Sequence, residues 1–506
     1  MDILEQIIQN LTSDEVRRFK ILSNRFKADE EKKLLILFDA IRAGNYENVE
    51  DSIIEQLYGD IGSNAKNNYY RLRNKLLNNV EKSVLFYHFN YKNAIESHSN
   101  LQLAALLTER GLYRESYYYL KKAEKLAYQN DQFHLLEVVF DEIIRLALKH
   151  IDVDIESILK KQQENRRKLE MQRKINEVLA LVSQQMIKRN FSRAKKNDSV
   201  IGILEEAQKL LESHQDVFQS VAGKLLIFRT IRTILIQKGA YSELEKYTNE
   251  ILEGFETQKS FTRENHSDRL MIRISRIHAL RKLLNIKQEK SEIEKLAEEL
   301  EMYHRQNYQE YVVYYYNAKI NNQKLLGDLE GASVTLKNAL QHKEILQNNL
   351  NELIFMISLA DQYFCQNLYI HAIDTLQKIK TNKKFVQLSD EIRYYLVIFE
   401  MICQFEAKNY GQITHLFQAI KTEFKAIWKD ESYDRSHKLV EILMRMTQAA
   451  IDGKKTFIKS AYKSFLEEFG SSEVSDNHII MYELYLQSKV EDKEYYTLLC
   501  EFVGKK

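Results

Sequence analysis

Asn367-Leu368-Tyr369-Ile370-His371-Ala372 is the stretch whose reading decides the fold. It runs asparagine, one residue, tyrosine, and then an apolar helical pattern. The same order, with glycine first and tyrosine or leucine third, recurs at Gly111-Leu112-Tyr113-Arg114-Glu115-Ser116, Gly239-Ala240-Tyr241-Ser242-Glu243-Leu244 and Gly327-Asp328-Leu329-Glu330-Gly331-Ala332. A fifth copy, Lys408-Asn409-Tyr410-Gly411-Gln412-Ile413, lacks the leading glycine. Each copy lies between two helix-patterned stretches and so marks the turn of a helical hairpin. The turns are separated by 128, 88, 40 and 41 residues. The two short intervals fit one helical pair each, so the longer ones must hold hairpins with decayed signatures, or insertions.

Apolar residues at i, i+3, i+4 and i+7 give each helix one stripe for its partner and another for the next hairpin. One hairpin cannot bury its stripe alone, and several must stack. Around the turn at Asn367, Leu359-Ala360 and Tyr363 precede it and Ala372, Leu376 and Ile379 follow. Around Gly111, Leu103-Ala104 and Leu107 precede and Ser116, Leu120 and Ala123 follow. In these residues the chain resembles the tetratricopeptide-repeat superfamily, whose hairpins carry a small residue where the helices cross. Arg232 and Met401 stand where that family has a small residue, its closing proline is missing, and the intervals exceed its usual ~34 residues. The resemblance implies an all-α, superhelical α-solenoid of stacked antiparallel hairpins, a concave partner-binding groove and no catalytic residues to carry over.

Composition agrees with a helical chain. Among 506 residues there is no proline, 44% are apolar and 29% charged. Proline breaks helix interiors, so its absence suits helices with short connections. Cys365, Cys403 and Cys500 form no closely spaced pair, which argues for a reducing compartment. Residues 1–6 carry acids where a secretory leader carries lysine or arginine, and no apolar run approaches ~18 residues. A cytoplasmic location without membrane insertion is expected.

Three segments are predicted: an N-terminal helical module over residues 1–95, a repeat array over 96–470 and a pair of capping helices over 471–506. In the module, Thr12-Ser13-Asp14-Glu15 opens a helix with capping residues and first-turn acids. Phe19, Ile21, Leu22 and Phe26 form its apolar face. Leu34, Leu35, Leu37, Phe38 and Ile41 form a second face, Val49, Ile53, Ile54 and Leu57 a third. Ser63 starts a long helix with Tyr69, Tyr70, Leu72, Leu76 and Leu77 inward. Gly470-Ser471-Ser472 reads as a flexible break before a Tyr-rich terminal pair.

No catalytic motif competes with an interaction role. GxG, HExxH and GxSxG are all absent. Glu301-Met302-Tyr303-His304 is a lone ExxH, whereas a di-iron bundle needs two such motifs and two further glutamates. No cofactor and no metal site are expected, and enzymatic activity is not.

Three features could carry binding. Between Lys160 and Lys196 twelve bases, among them Lys160, Lys161, Arg166, Arg167, Lys168, Arg173 and Lys174, face three acids, a net charge of +9. Such a field attracts acidic proteins or nucleic acid; a solvated helix face or a projecting loop accounts for the same residues. Gly59 to Ser63, followed by Lys66, Arg71, Arg73 and Lys75, has the ingredients of a helix-turn-helix. Yet residues 1–61 hold thirteen acids against eight bases, which opposes a phosphate backbone. Tyr308, Tyr311, Tyr314 and Tyr315 fall at helical spacing beside Tyr303 and Tyr316, and Tyr117-Tyr118-Tyr119 cannot all face one core. Exposed tyrosines anchor interfaces well, which makes Tyr308, Tyr311, Tyr315 and Tyr118 the candidate partner-binding residues. The expected function is a scaffold or adaptor for a protein or peptide partner, acidic in character. The alternatives are a transcriptional regulator whose N-terminal module binds DNA, and an RNA-associated factor.

Overall fold

A computed structural model describes residues 3–23, 29–43, 50–88, 93–149, 153–188, 221–346, 349–453, 457–469 and 479–504. Every regular element among them is helical, and from Asn93 onward the helices pack chiefly on their neighbours in sequence, an all-α solenoid-like arrangement. Two compact units form, Met1–Arg173 and Lys174–Lys506.

In the first unit, α1 (Ile3–Asn10), α2 (Ser13–Ser23), α3 (Asp29–Arg42), α4 (Glu50–Tyr58) and α5 (Ser63–His88) share one core. Phe19 stacks on Phe38 at 4.5 Å within it, beside Tyr69, Leu72 and Leu76. The expected cap at Thr12 is present and reciprocal. The Glu15 carboxylate accepts from the Thr12 amide at 2.7 Å, while the Thr12 hydroxyl accepts from the Glu15 amide at 3.3 Å. Each end thereby satisfies an amide the helix itself cannot. Arg42 donates to the carbonyls of Gln9 and Leu11 at 3.0 and 2.8 Å, fastening the end of α1 to α3. Two expected core residues face solvent instead: Ile21 and Tyr70 are exposed. Helical periodicity explains both, since Phe19 and Tyr69 already fill the inward positions and Ile21 and Tyr70 are turned ~200° and ~100° away from them. Phe26 and Val49 lie outside the described residues. A second core joins α6 (Asn93–Glu109), α7 (Tyr113–Gln129), α8 (Phe133–Ala147) and the N-terminal part of α9 (Ile155–Lys188), a helix that continues into the second unit.

The second unit is a run of seven hairpins among the described residues. They are α10 (Val221–Lys238) with α11 (Tyr241–Thr257), α12 (His266–Lys282) with α13 (Ile286–Leu300), and α14 (Tyr308–Leu325) with α15 (Leu329–Leu340). Then come α16 (Asn349–Cys365) with α17 (Tyr369–Thr381), α18 (Asp390–Glu406) with α19 (Tyr410–Glu423), α20 (Asp434–Ile451) with α21 (Phe457–Phe469), and α22 (Tyr482–Glu491) with α23 (Tyr495–Gly504). Their turn residues are Gly239, Leu284, Gly327, Asn367, Lys408, Gly453 and Asp492, all with positive φ. Successive turns are 39 to 45 residues apart. The 88-residue interval therefore holds one hairpin, turning at Leu284-Asn285. Gly470-Ser471-Ser472 lies outside the described residues.

Five of these turns, at Gly239, Leu284, Gly327, Asn367 and Lys408, share one geometry. The turn residue sits in the left-handed region, and the residue after it, at φ −81 to −90° and ψ 58 to 70° in five of the hairpins, is the N-cap of the following helix. That N-cap amide reaches five residues back, as from Ala240 to Leu235, Asn285 to Leu280, Asp328 to Gln323, Leu368 to Tyr363 and Asn409 to Gln404, each at 2.9 Å. The turn residue's own amide reaches three back, as from Asn367 to Phe364 at 3.0 Å. These two bonds satisfy carbonyls that the helix end leaves open. Gly111 and Asp131 in the first unit make the same reversal. Small residues then let the paired helices meet: Ala360 and Ala372 are fully buried, and the Ser116 hydroxyl donates to the Ala104 carbonyl at 2.9 Å.

A left-handed L-residue costs about 1–2 kcal/mol that glycine does not incur. Lys408 is exposed with φ 61°, and Gly327 at φ 87° has open space where a Cβ would be. Lys408→Gly should stabilise the second unit and Gly327→Ala should destabilise it, each by about 1 kcal/mol in urea unfolding. Shifts of the same sign in both variants would contradict this account of the turn.

Candidate partner-binding surface

The leading helices of the hairpins are not equally open. The last hairpin reaches back across the array, 172 residues in sequence: the Tyr496 hydroxyl donates to the Lys324 carbonyl at the end of α14 at 2.9 Å. Asn367 donates to Glu494 at 2.8 Å, and Tyr485 and Lys489 both donate to Glu406 at 2.7 Å. Phe364 is surrounded by the rings of Tyr369, Phe399, Tyr485 and Tyr495 at 5.5–6.4 Å. The terminal pair therefore covers the C-terminal ends of α14, α16 and α18. Cys365 and Cys403 are buried there as free thiols, and burial pushes both thiol pKa values well up.

Helix α12 is tied by ion pairs to its own hairpin partner α13 and to α11 of the preceding hairpin. Arg273, 3% exposed, donates to Glu299 at 2.6 and 2.7 Å and to Glu256 at 3.2 Å, and also bonds Glu292. Arg269 donates to Glu299 at 2.6 Å, Arg276 lies 3.3 Å from Glu245, and Arg281 pairs with the fully buried Glu289 at 2.7 Å. Burial alone would raise the Glu292 pKa; Arg273, Lys295 and Arg276 outweigh it and hold that carboxylate below its usual 4.5. Arginines 269, 273 and 276 recur at i, i+4 and i+7 on this helix, a spacing that puts three bases on one face and is visible in the sequence.

On the other side of α12, the first three leading helices bring a polar, aromatic set together. Arg229 of α10 donates to Asp268 of α12 at 2.6 and 2.8 Å. Arg232, one turn on, donates through Nε to the Ser275 hydroxyl at 2.6 Å, near the hydroxyls of Tyr314 and Tyr311. Burial lowers the Arg232 pKa, and these tyrosines only partly offset it. The Tyr311 hydroxyl pairs with Ser267 at 2.8 Å, and its ring lies 6.2 Å from that of Tyr314, which is 48% exposed.

The structure distributes the candidate tyrosines unequally. Tyr311 is buried. Tyr308 is half-buried, with Arg305 3.5 Å over its ring and its hydroxyl 3.2 Å from His342. Tyr315 is half-buried, its hydroxyl accepting from Lys319 at 3.2 Å. Tyr314 is the member of this helix that presents its ring to solvent. In the first unit Tyr118 is 56% exposed, with Lys122 5.0 Å over its ring, while Tyr117 and Tyr119 are half-buried. His304 of the lone ExxH sits in a left-handed turn, Tyr303-His304-Arg305, and Glu301 pairs with Arg305 at 3.5 Å.

The basic segment is a helix whose inner face is polar by design of its amides. Gln162 donates to Asp141 at 2.8 Å, and Asn165 donates to the Phe133 carbonyl and to Glu137 at 2.9 and 2.7 Å, which docks α9 on α8 beside the buried Ile158 and Leu169. Lys161 pairs with Glu124 at 3.0 Å, Arg166 with Glu137 at 3.0 Å and Lys168 with Glu164 at 3.2 Å. Lys160, Arg167, Arg173 and Lys174 are exposed. Arg189, Arg193, Lys195 and Lys196 lie outside the described residues. At the N-terminal module, Arg71 is exposed and Lys75 half-exposed, but Lys66 pairs with Asp51 at 3.3 Å and Arg73 lies 3.5 Å from Glu5 with its side chain largely buried. Two of the four proposed DNA contacts thus turn onto acids of residues 1–61.

No known family model matches the chain, and no curated protein matches it.

The ion network makes acid stability testable. Glu292 is depressed in the folded state, so its contribution is fully present above pH ~4.5 and is lost as pH falls through the lower folded-state value. Arg273→Met should cost about 3–5 kcal/mol at pH 7, because it leaves Glu292 and Glu299 buried without their partner. The cost should shrink between pH 5 and pH 3 in urea titrations; a pH-independent cost would point to lost packing alone.

Proposed function

We propose that this chain is a non-catalytic scaffold of the tetratricopeptide-like kind, cytoplasmic, that holds a protein or peptide partner along α10, α12 and α14. The observation that carries this reading is the exposed Tyr314 ring, set beside the Tyr311 and Ser267 hydroxyls and Arg232 on three consecutive leading helices. A large amphipathic ring on a rigid helix offers contact area at little entropic cost, and interface hot spots are enriched in tyrosine and arginine. The buried ions behind α12 support the same use, since they fix the helix that carries Ser267 and Ser275. The sequential helical hairpins and the buried Ala360 and Ala372 support the tetratricopeptide-like assignment. The DNA-binding alternative loses support from Arg73 and Lys66, both turned onto acids.

Affinity capture with the tagged full chain, from nuclease-treated and untreated lysate, tests the scaffold against an RNA role. A protein recovered from both halves with wild type, and depleted at least about tenfold with Tyr314→Ala, is the expected result. Recovery that vanishes on nuclease treatment would transfer the function to the exposed bases of α9.

A further inference from the structure

Seven residues before each hairpin turn, the second unit places a buried apolar side chain: Ile277, Ile320, Ala360, Met401, Met446 and Tyr485 are all in the core. The first hairpin breaks this rule. There the position is Arg232, partly buried, with a serine hydroxyl as its hydrogen-bond partner. Every other described arginine close by has a carboxylate. Arg229 has Asp268, Arg269 and Arg273 share Glu299, Arg276 has Glu245 and Arg281 has Glu289. Helix α10 itself carries Lys224, Arg229, Arg232 and Lys238 and no acid. Removing a guanidinium from water without a counter-charge is unfavourable, and a charge-assisted bond to a carboxylate is the strongest remedy available.

We propose that Arg232 is the specificity residue of the partner site, and that it receives an aspartate or glutamate side chain of a bound peptide that packs on Tyr314. The inference rests on the scaffold reading above and sharpens it to an acidic peptide. The guanidinium is a planar fork. With Nε engaged by Ser275, its terminal nitrogens remain to meet a carboxylate, and Ser275 fixes the plane in which they do so. Tyr311 and Tyr314, the other polar side chains felt by this guanidinium, bring hydroxyls and no carboxylate.

The test uses the immobilised full chain and a random dodecapeptide library linked to its coding strand through the C-terminus, so that carboxylates come from side chains only. Enriched peptides are resynthesised as amides, each with its acids changed singly to Asn or Gln, and measured by fluorescence polarisation against wild type, Arg232→Gln, Arg232→Lys and Tyr314→Ala. We expect one acid whose removal weakens wild-type binding about tenfold or more and has no further effect on Arg232→Gln, the coupling expected of a direct pair. Arg232→Lys should recover part of the loss, which a merely structural role would not predict, and thermal unfolding checks that each variant folds. Peptides that need Tyr314 but bind Arg232→Gln as well as wild type would overturn the assignment and leave the scaffold surface standing. Enrichment of no peptide would overturn both.

Discussion

The array depends on one backbone constraint: a single left-handed residue reverses the chain, and the next residue begins the following helix. Two amide bonds, five and three residues long, lock that reversal, so the crossing of the two helices is set before any side chain is chosen. Because the cap of one helix is the start of the next, there is no slack in the connection. The interval between turns then varies with helix length, 17 residues in α11 against 12 in α15, and with the loops that join one hairpin to the next, such as those around Ser260 and Asn307. This is why a 39–45-residue period persists although the turn residue is glycine, leucine, asparagine, lysine or aspartate.

Side chains settle what the turns leave open, namely which face of each leading helix looks inward. Around α12 the choice is made by ions, with arginines on one helix and glutamates on the two helices flanking it, α11 and α13. Buried ion pairs are weak contributors to net stability, because desolvation offsets much of the attraction. They are strong discriminators, since any rotation of α12 would strand several charges at once. Further along, aromatic packing around Phe364 takes over that task and binds the last hairpin to the third, fourth and fifth. The open part of the leading helices is consequently at the start of the second unit, where Arg232 and Tyr314 lie.

Much of this was legible in the sequence. Glycine or asparagine at four turns and Lys408 at a fifth, each with the following tyrosine or leucine, located hairpins correctly, and Thr12 with Glu15 located a cap. Leu284 and Asp492 were missed because their side chains do not reveal a positive φ, although Asn285 accepts from the Gln288 amide as an N-cap and was a usable sign. The tyrosine cluster was visible, but which ring is exposed depends on the packing of α14 between α13 and α15, and Tyr314 emerged where Tyr311 turned inward. The contact from Tyr496 to Lys324 could not be read at all, because it depends on how three intervening hairpins stack. Arg232 was noticed as a charged residue in a small residue's place; its lack of a carboxylate needed coordinates.

Site-specific photo-crosslinking tests the central claim most directly. A benzoylphenylalanine placed at Tyr314 of the full chain, with the exposed positions Tyr118 and Arg71 as comparators, reports what each surface touches in lysate. The account predicts a discrete protein adduct at position 314 and none at 118 or 71. Adducts confined to 118 or 71, with 314 silent, would place the binding surface in the first unit and contradict it.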